Sequence, residues 1–107
     1  MAKYLIRGSY SSDGIKGVMA TGGTARKAAV EQLVAGVGGS VESFYFSFGG
    51  DDICAIIDAP SHEAMAAVAG TVTSSGALRN YETIVLLTPE QIDAAADMSV
   101  DYRPPGS

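Results

Sequence analysis

A chain of 107 residues, 47% hydrophobic and 18% charged, has the length of one domain and the composition of an ordered globular protein. Its net charge of -5 and its scattered basic residues, Lys3, Arg7, Lys16, Arg26, Lys27, Arg79 and Arg103, exclude the basic footprint of a nucleic-acid binder. No apolar run approaches the roughly 20 residues of a membrane span, and "MAKYLIRGSY" is broken by Arg7 too early for a signal peptide, so a cytoplasmic location is expected, with neither nucleic acid nor membrane as partner.

No linker, low-complexity segment or repeat divides the chain, so residues 1–107 are expected to form a single domain, with a core over 1–100 and an extended tail over 101–107. "KYLIRGSY" (3–10) predicts a first strand, ended by the turn-forming "SSDG" (11–14). Residues 15–20 predict a short helical turn that Gly22 and Gly23 interrupt. Thr24 is the expected N-cap of a second piece running to Val37, where Val30, Leu33, Val34 and Val37 share one face.

"SVESFYFSFG" (40–49) alternates Phe44, Phe46 and Phe48 against Ser43, Tyr45 and Ser47, the pattern of a strand with one core face. "DDICAIIDA" (51–59) follows a tight glycine-containing connection and predicts the second arm of an antiparallel hairpin. Its alternate rows are Ile53, Ala55 and Ile57 against Cys54 and Ile56, so neither is polar through the middle. A second helix, "SHEAMAAVAGTVTSS", is expected with Ser61 as N-cap and Gly76 just past its end. Residues 78–88 predict a fourth strand. "TPEQ" announces a last short helix, with Thr88 as cap, Pro89 at N1 and Gln91 closing a capping box, before the extended "SVDYRPPGS".

The order β-α-β-β-α-β is the ferredoxin-like, split βαβ arrangement of the α+β class: a four-stranded antiparallel sheet, helices on one face, and here an extra short helix at the C-terminal end. The other sheet face is left uncovered, and a strand apolar on both rows fits poorly with water there. A second copy of the chain, packed sheet to sheet, would bury it.

Several stretches taken together, "KYLIRGSY" with "GIKGV", "GGTARKAAVEQLVAGVGGSVESFYFSFG", "GGDDICAIIDAP" and "LLTPEQIDAAADMSVDYRPPG", resemble the GYD domain family of the dimeric α/β-barrel superfamily. The Gly-Tyr-Asp motif that names the family falls here on Gly50, Asp51 and Asp52, so the tyrosine is replaced at Asp51. The resemblance implies a homodimer, with higher assembly open, and a barrel-like interior; it implies no particular activity.

If the phenylalanine row faces the helices, strand periodicity places Arg7, Ser43, Tyr45, Ser47, Asp52 and Cys54 on the opposite face. An arginine on an otherwise apolar strand needs a partner, and Asp52 or Glu82 can supply it. Arg7, Tyr45, Ser47, Asp52 and Glu82 are therefore the candidate ligand-binding residues, for a small, partly apolar or anionic molecule. The structural alternative is an internal or dimer-contact ion pair. Cys54, the single cysteine, excludes an internal disulfide and reads as a small buried hydrophobe.

His62, the single histidine, has no neighbouring co-ligand and reads as an exposed first-turn residue, so neither haem nor another metal or cofactor is expected. "GGTARK" (22–27) could offer an anion site at a helix start, but it lacks the P-loop and dinucleotide spacings and reads first as a helix break. Asp51 and Asp52 alternate across a strand and cannot act jointly on one bond. The reading that follows is a homodimeric accessory or binding protein with a small-molecule ligand in its barrel. Its rivals are a cofactor-independent monooxygenase or isomerase using Asp52, Glu82 or Tyr45, and a barrel filled by its own side chains.

Overall fold

The computed structural model describes residues 1–47 and 49–107; Phe48, expected in line with Phe44 and Phe46, lies outside the described residues. Eight elements follow in order: β1 (Ala2–Tyr10), α1 (Ser12–Thr21), α2 (Gly23–Ala35), β2 (Ser40–Phe46), β3 (Ile53–Ala59), α3 (His62–Ser74), β4 (Leu78–Leu86) and α4 (Pro89–Ala96). The strands form one antiparallel sheet in the order β2-β3-β1-β4, the ferredoxin-like arrangement expected from the sequence.

The alternation of β1 and β3 decides which face is the core. Tyr4, Ile6 and Tyr10 on β1 and Ile53, Ala55, Ile57 and Ala59 on β3 are buried, and they cluster with Phe44 of β2, Val18 of α1, Val34 of α2 and Met65 of α3. The helices thus lie on one face. Leu5, Cys54, Ile56 and Ile84, on the opposite rows, are only partly buried.

α1 is longer than expected. "SSDG" does not form a free turn: the Ser11 hydroxyl accepts the Gly14 N–H at 3.1 Å, capping a helix that already begins at Ser12. Ser11 also donates its N–H to the Ala77 carbonyl at 2.9 Å, and a Cβ on Gly14 would fall on that same carbonyl oxygen, so glycine lets the start of α1 press against the start of β4. The break before α2 lies at Gly22, whose φ of 92° suits glycine alone, and Gly22 rather than Thr24 is the cap residue. α2 ends at Ala35, two residues short of the expected Val37.

The later caps match their sequence signals. The Ser61 hydroxyl accepts from Ala64, and Thr88 and Gln91 close a capping box with Pro89 at the first position. Beyond Leu86, however, no described residue is buried. α4 and the tail project from the sheet, which explains a radius of gyration of 17.0 Å where a compact chain of this length has about 13 Å. Among the described residues, no helix is long and apolar enough to cross a membrane.

Candidate functional site

Strand register turns the uncovered face into three lateral rows. Tyr45, Cys54, Arg7 and Glu82 stand side by side across β2, β3, β1 and β4. One step along, Ser43, Ile56, Leu5 and Ile84 make a second row, apolar over three adjacent strands. Ser40, Asp58, Lys3 and Leu86 make the third.

In the first row Arg7 sits between two carboxylates. Its Nη2 lies 3.5 Å from Glu82 and its Nε 3.6 Å from Asp51, with the three side chains 43%, 50% and 24% exposed. These separations are long for hydrogen bonds, and Arg7 Nε is a buried atom with no hydrogen-bond partner among the described residues. The guanidinium is therefore neutralised without being fully hydrogen-bonded. At this exposure each pair contributes only about 0–1 kcal/mol.

The expected meeting of Asp52 with Arg7 requires correction, whereas that of Glu82 with Arg7 is present. Regular alternation ends at Ile53, where β3 begins, so counting in twos outward to Asp52 fails. Asp52 instead accepts the Tyr10 backbone N–H through Oδ2 at 2.9 Å and donates its own N–H to the Gly8 carbonyl at 2.8 Å. Asp51, expected on the strand face opposite Asp52, is the second acid at Arg7. Ser47 also leaves the row: its hydroxyl donates to the Asp51 carbonyl at 2.6 Å and its N–H to the Asp52 carbonyl at 2.9 Å. Ser47 and Asp52 close the hairpin end and tie it to β1. Tyr45 stays on the row and is 70% exposed. Cys54 is half-buried between Tyr45 and Arg7, on the open face and not in the core.

The third row repeats the charge pattern. Lys3 Nζ donates to Asp58 and to Glu42 at 2.8 Å each, and these bonds, Asp58 first, hold its ammonium above the ordinary value of 10.5. The apolar row is thus bounded on both sides by a cation set between two acids. The Lys3 triad escaped sequence reasoning because a bulge between Val41 and Ser43 alters the alternation of β2 at Glu42.

Two polar features lie on the helix side. His62 is exposed at the start of α3, as expected, yet its Nδ1 is 2.7 Å from the hydroxyl of Tyr4, which is 1% exposed. Arg26 of α2 donates from Nε to the Tyr10 hydroxyl at 3.3 Å, with its guanidinium carbon 5.8 Å from the Tyr10 ring centre. Among the described residues, no cluster of three histidine, cysteine or acidic side chains could hold a metal ion.

The open face thus sets a neutralised polar row beside an apolar one. No curated protein and no solved structure matches the chain. The family model of the GYD domain does match it, over residues 4–96, spanning β1 through α4. The chain belongs to the GYD domain family.

Proposed function

We propose that the protein is a homodimer, closed by two open sheet faces, that binds a small, partly apolar molecule in the barrel between them. The observation that carries the reading is the row Leu5, Ile56 and Ile84, apolar across three adjacent strands on the face the helices leave bare. Leaving such a row in water forgoes about 25 cal/mol for every Å² of apolar surface that a second copy would cover. The polar row supplies orientation: Tyr45 offers a hydroxyl, and Arg7 has N–H groups beyond those facing its acids. With two carboxylates to one guanidinium, the row favours a neutral molecule bearing a hydroxyl or amide over an anion.

Sedimentation at micromolar concentration tests the assembly, with twice the 11.0 kDa chain mass as the expected result. Ile84→Glu, which sets a charge in the apolar row, should give a folded monomer. Native mass spectrometry of the purified dimer should then show a retained organic ligand, lost in the Ile84→Glu monomer. A monomeric parent protein would overturn the assembly, and a dimer that retains no small molecule would count against the binding reading and in favour of its two rivals, the enzyme and the packed barrel.

A further inference from the structure

On the helix layer, away from the open face, α1 and α2 splay around a groove of about 450 Å³. Its walls are made of small residues, among them Gly14, Gly17, Ala25 and Ala29, and Tyr10 and Arg26 contribute its polar groups together with Asp13 and Thr21. Arg26 differs from Arg7 in the respect that matters for a ligand. Among the described residues it has no carboxylate within 4 Å, and its one hydrogen bond runs from Nε to the Tyr10 hydroxyl. Its two terminal nitrogens, the fork that grips a carboxylate in parallel hydrogen bonds, have no partner among the described residues.

Arg26 is also held in place. It is only partly exposed, and the cation–π contact with the 5%-exposed Tyr10 ring fixes its direction. It further lines a small internal void of about 30 Å³ between the sheet, α2 and α3, shared with Tyr81, whose buried hydroxyl has no hydrogen-bond partner among the described residues. Arg26 and Tyr81 thus line the same void. The "GGTARK" segment, which reads first as a helix break, becomes by this placement the wall of a pocket.

We propose that the groove between α1 and α2 binds a small carboxylate with an apolar body, its carboxylate on the Arg26 fork and its body against Val18, Ala25 and Ala29. This site is independent of the barrel on the other face. Asp13, on the first turn of α1, is the one acid on the lining and opposes the anion. Gly17 has nothing within 4 Å of where a Cβ would lie, so a side chain there fills open space at the groove wall.

Benzoate, with benzyl alcohol as its neutral match, is the probe, and amide chemical shifts of the full chain are the readout. Benzoate should give saturable shifts at residues lining α1 and α2, and benzyl alcohol should bind at least roughly tenfold more weakly, the discrimination a charge-assisted pair supplies. Arg26→Met should lose a similar factor and Arg7→Met none, which separates this site from the barrel. Asp13→Asn should tighten benzoate binding, an effect that a purely structural Arg26 would not produce. Should Arg26→Met fail to fold, Gly17→Leu, which leaves Arg26 untouched, should abolish binding by filling the groove. Equal binding of benzoate and benzyl alcohol, no saturable shift with benzoate, or undiminished binding by Gly17→Leu would overturn the proposal.

Discussion

Asp52 and Tyr10 meet through one charge-assisted hydrogen bond, from the Tyr10 backbone N–H to Asp52 Oδ2 at 2.9 Å. It extends the β1–β3 ladder beyond its last regular pair, Gly8 with Ile53, and is backed by a bond from the Ser9 hydroxyl to the Gly50 carbonyl at 3.1 Å. Asp52 therefore acts in this chain as a fastener between the hairpin end and β1. Asp52→Ala should lower stability by about 1.5–3 kcal/mol, because the Tyr10 N–H loses a charged acceptor at a site with little water. Asp52→Asn should lose less, since an amide oxygen can accept the same bond. Urea unfolding of the three proteins measures both, and an unchanged midpoint in the alanine variant would contradict the fastening role.

At Arg7 the chain's own stability and the strength of its assembly should respond differently. Arg7→Met leaves Asp51 and Glu82 without their cation, but all three groups reach solvent in the single chain, so the expected loss there is under about 1 kcal/mol. In a sheet-to-sheet dimer the same acids are desolvated, and the dissociation constant should rise by a larger factor, partly recovered in Arg7→Met with Glu82→Gln. The double-mutant cycle is read from sedimentation at several concentrations. Equal and small effects on folding and assembly would place Arg7 outside the interface.

Tyr81 provides a pH signature. Burial pushes its hydroxyl above the ordinary 10.0, with Thr83 close enough to offset part of the rise without making a hydrogen bond. A raised value means that the folded chain keeps this proton after the unfolded chain has lost it. Unfolding then releases a proton, and stability falls as pH rises past 10. Tyr81→Phe should flatten that alkaline decline, and it should also raise the melting temperature at neutral pH by removing an unpaired buried hydroxyl. A decline as steep in the phenylalanine protein as in the parent would contradict this assignment.

Much of this architecture is legible in the sequence because it rests on local chemistry. Ser61 and Thr88 read as caps since their hydroxyls reach N–H groups only three residues away, and the alternation of Ile53, Ala55 and Ile57 marks the row of β3 that faces the helices. The failures are long-range. Ser11 looks like a turn residue until Ala77, 66 positions on, is brought against it. Asp51 and not Asp52 meets Arg7 because regular alternation stops at Ile53. Arg26 carries no sign of being unpaired, since the lack of a carboxylate within 4 Å of it among the described residues is a property of the packed helix layer.

α4 and the tail pose the last question. The helix has a full set of starting devices, a capping box and a first-position proline, yet its eight residues make too short a helix to persist alone in water, and none is buried. Leu87, Ile92, Met98, Val100 and Tyr102 are each more than half exposed along it and the tail. An arm that is locally primed and apolar, but unpacked on its own chain, is suited to a second copy, and the paired prolines Pro104 and Pro105 reduce the entropy lost when the tail docks. Removing residues 88–107 should therefore leave unfolding of the dilute, dissociated chain within about 0.5 kcal/mol of the parent, as for surface changes. It should weaken the dimer, so that the rise of melting temperature with protein concentration becomes smaller. If truncation instead lowers the melting temperature equally at every concentration, the arm packs on its own protomer and does not dock on a second copy.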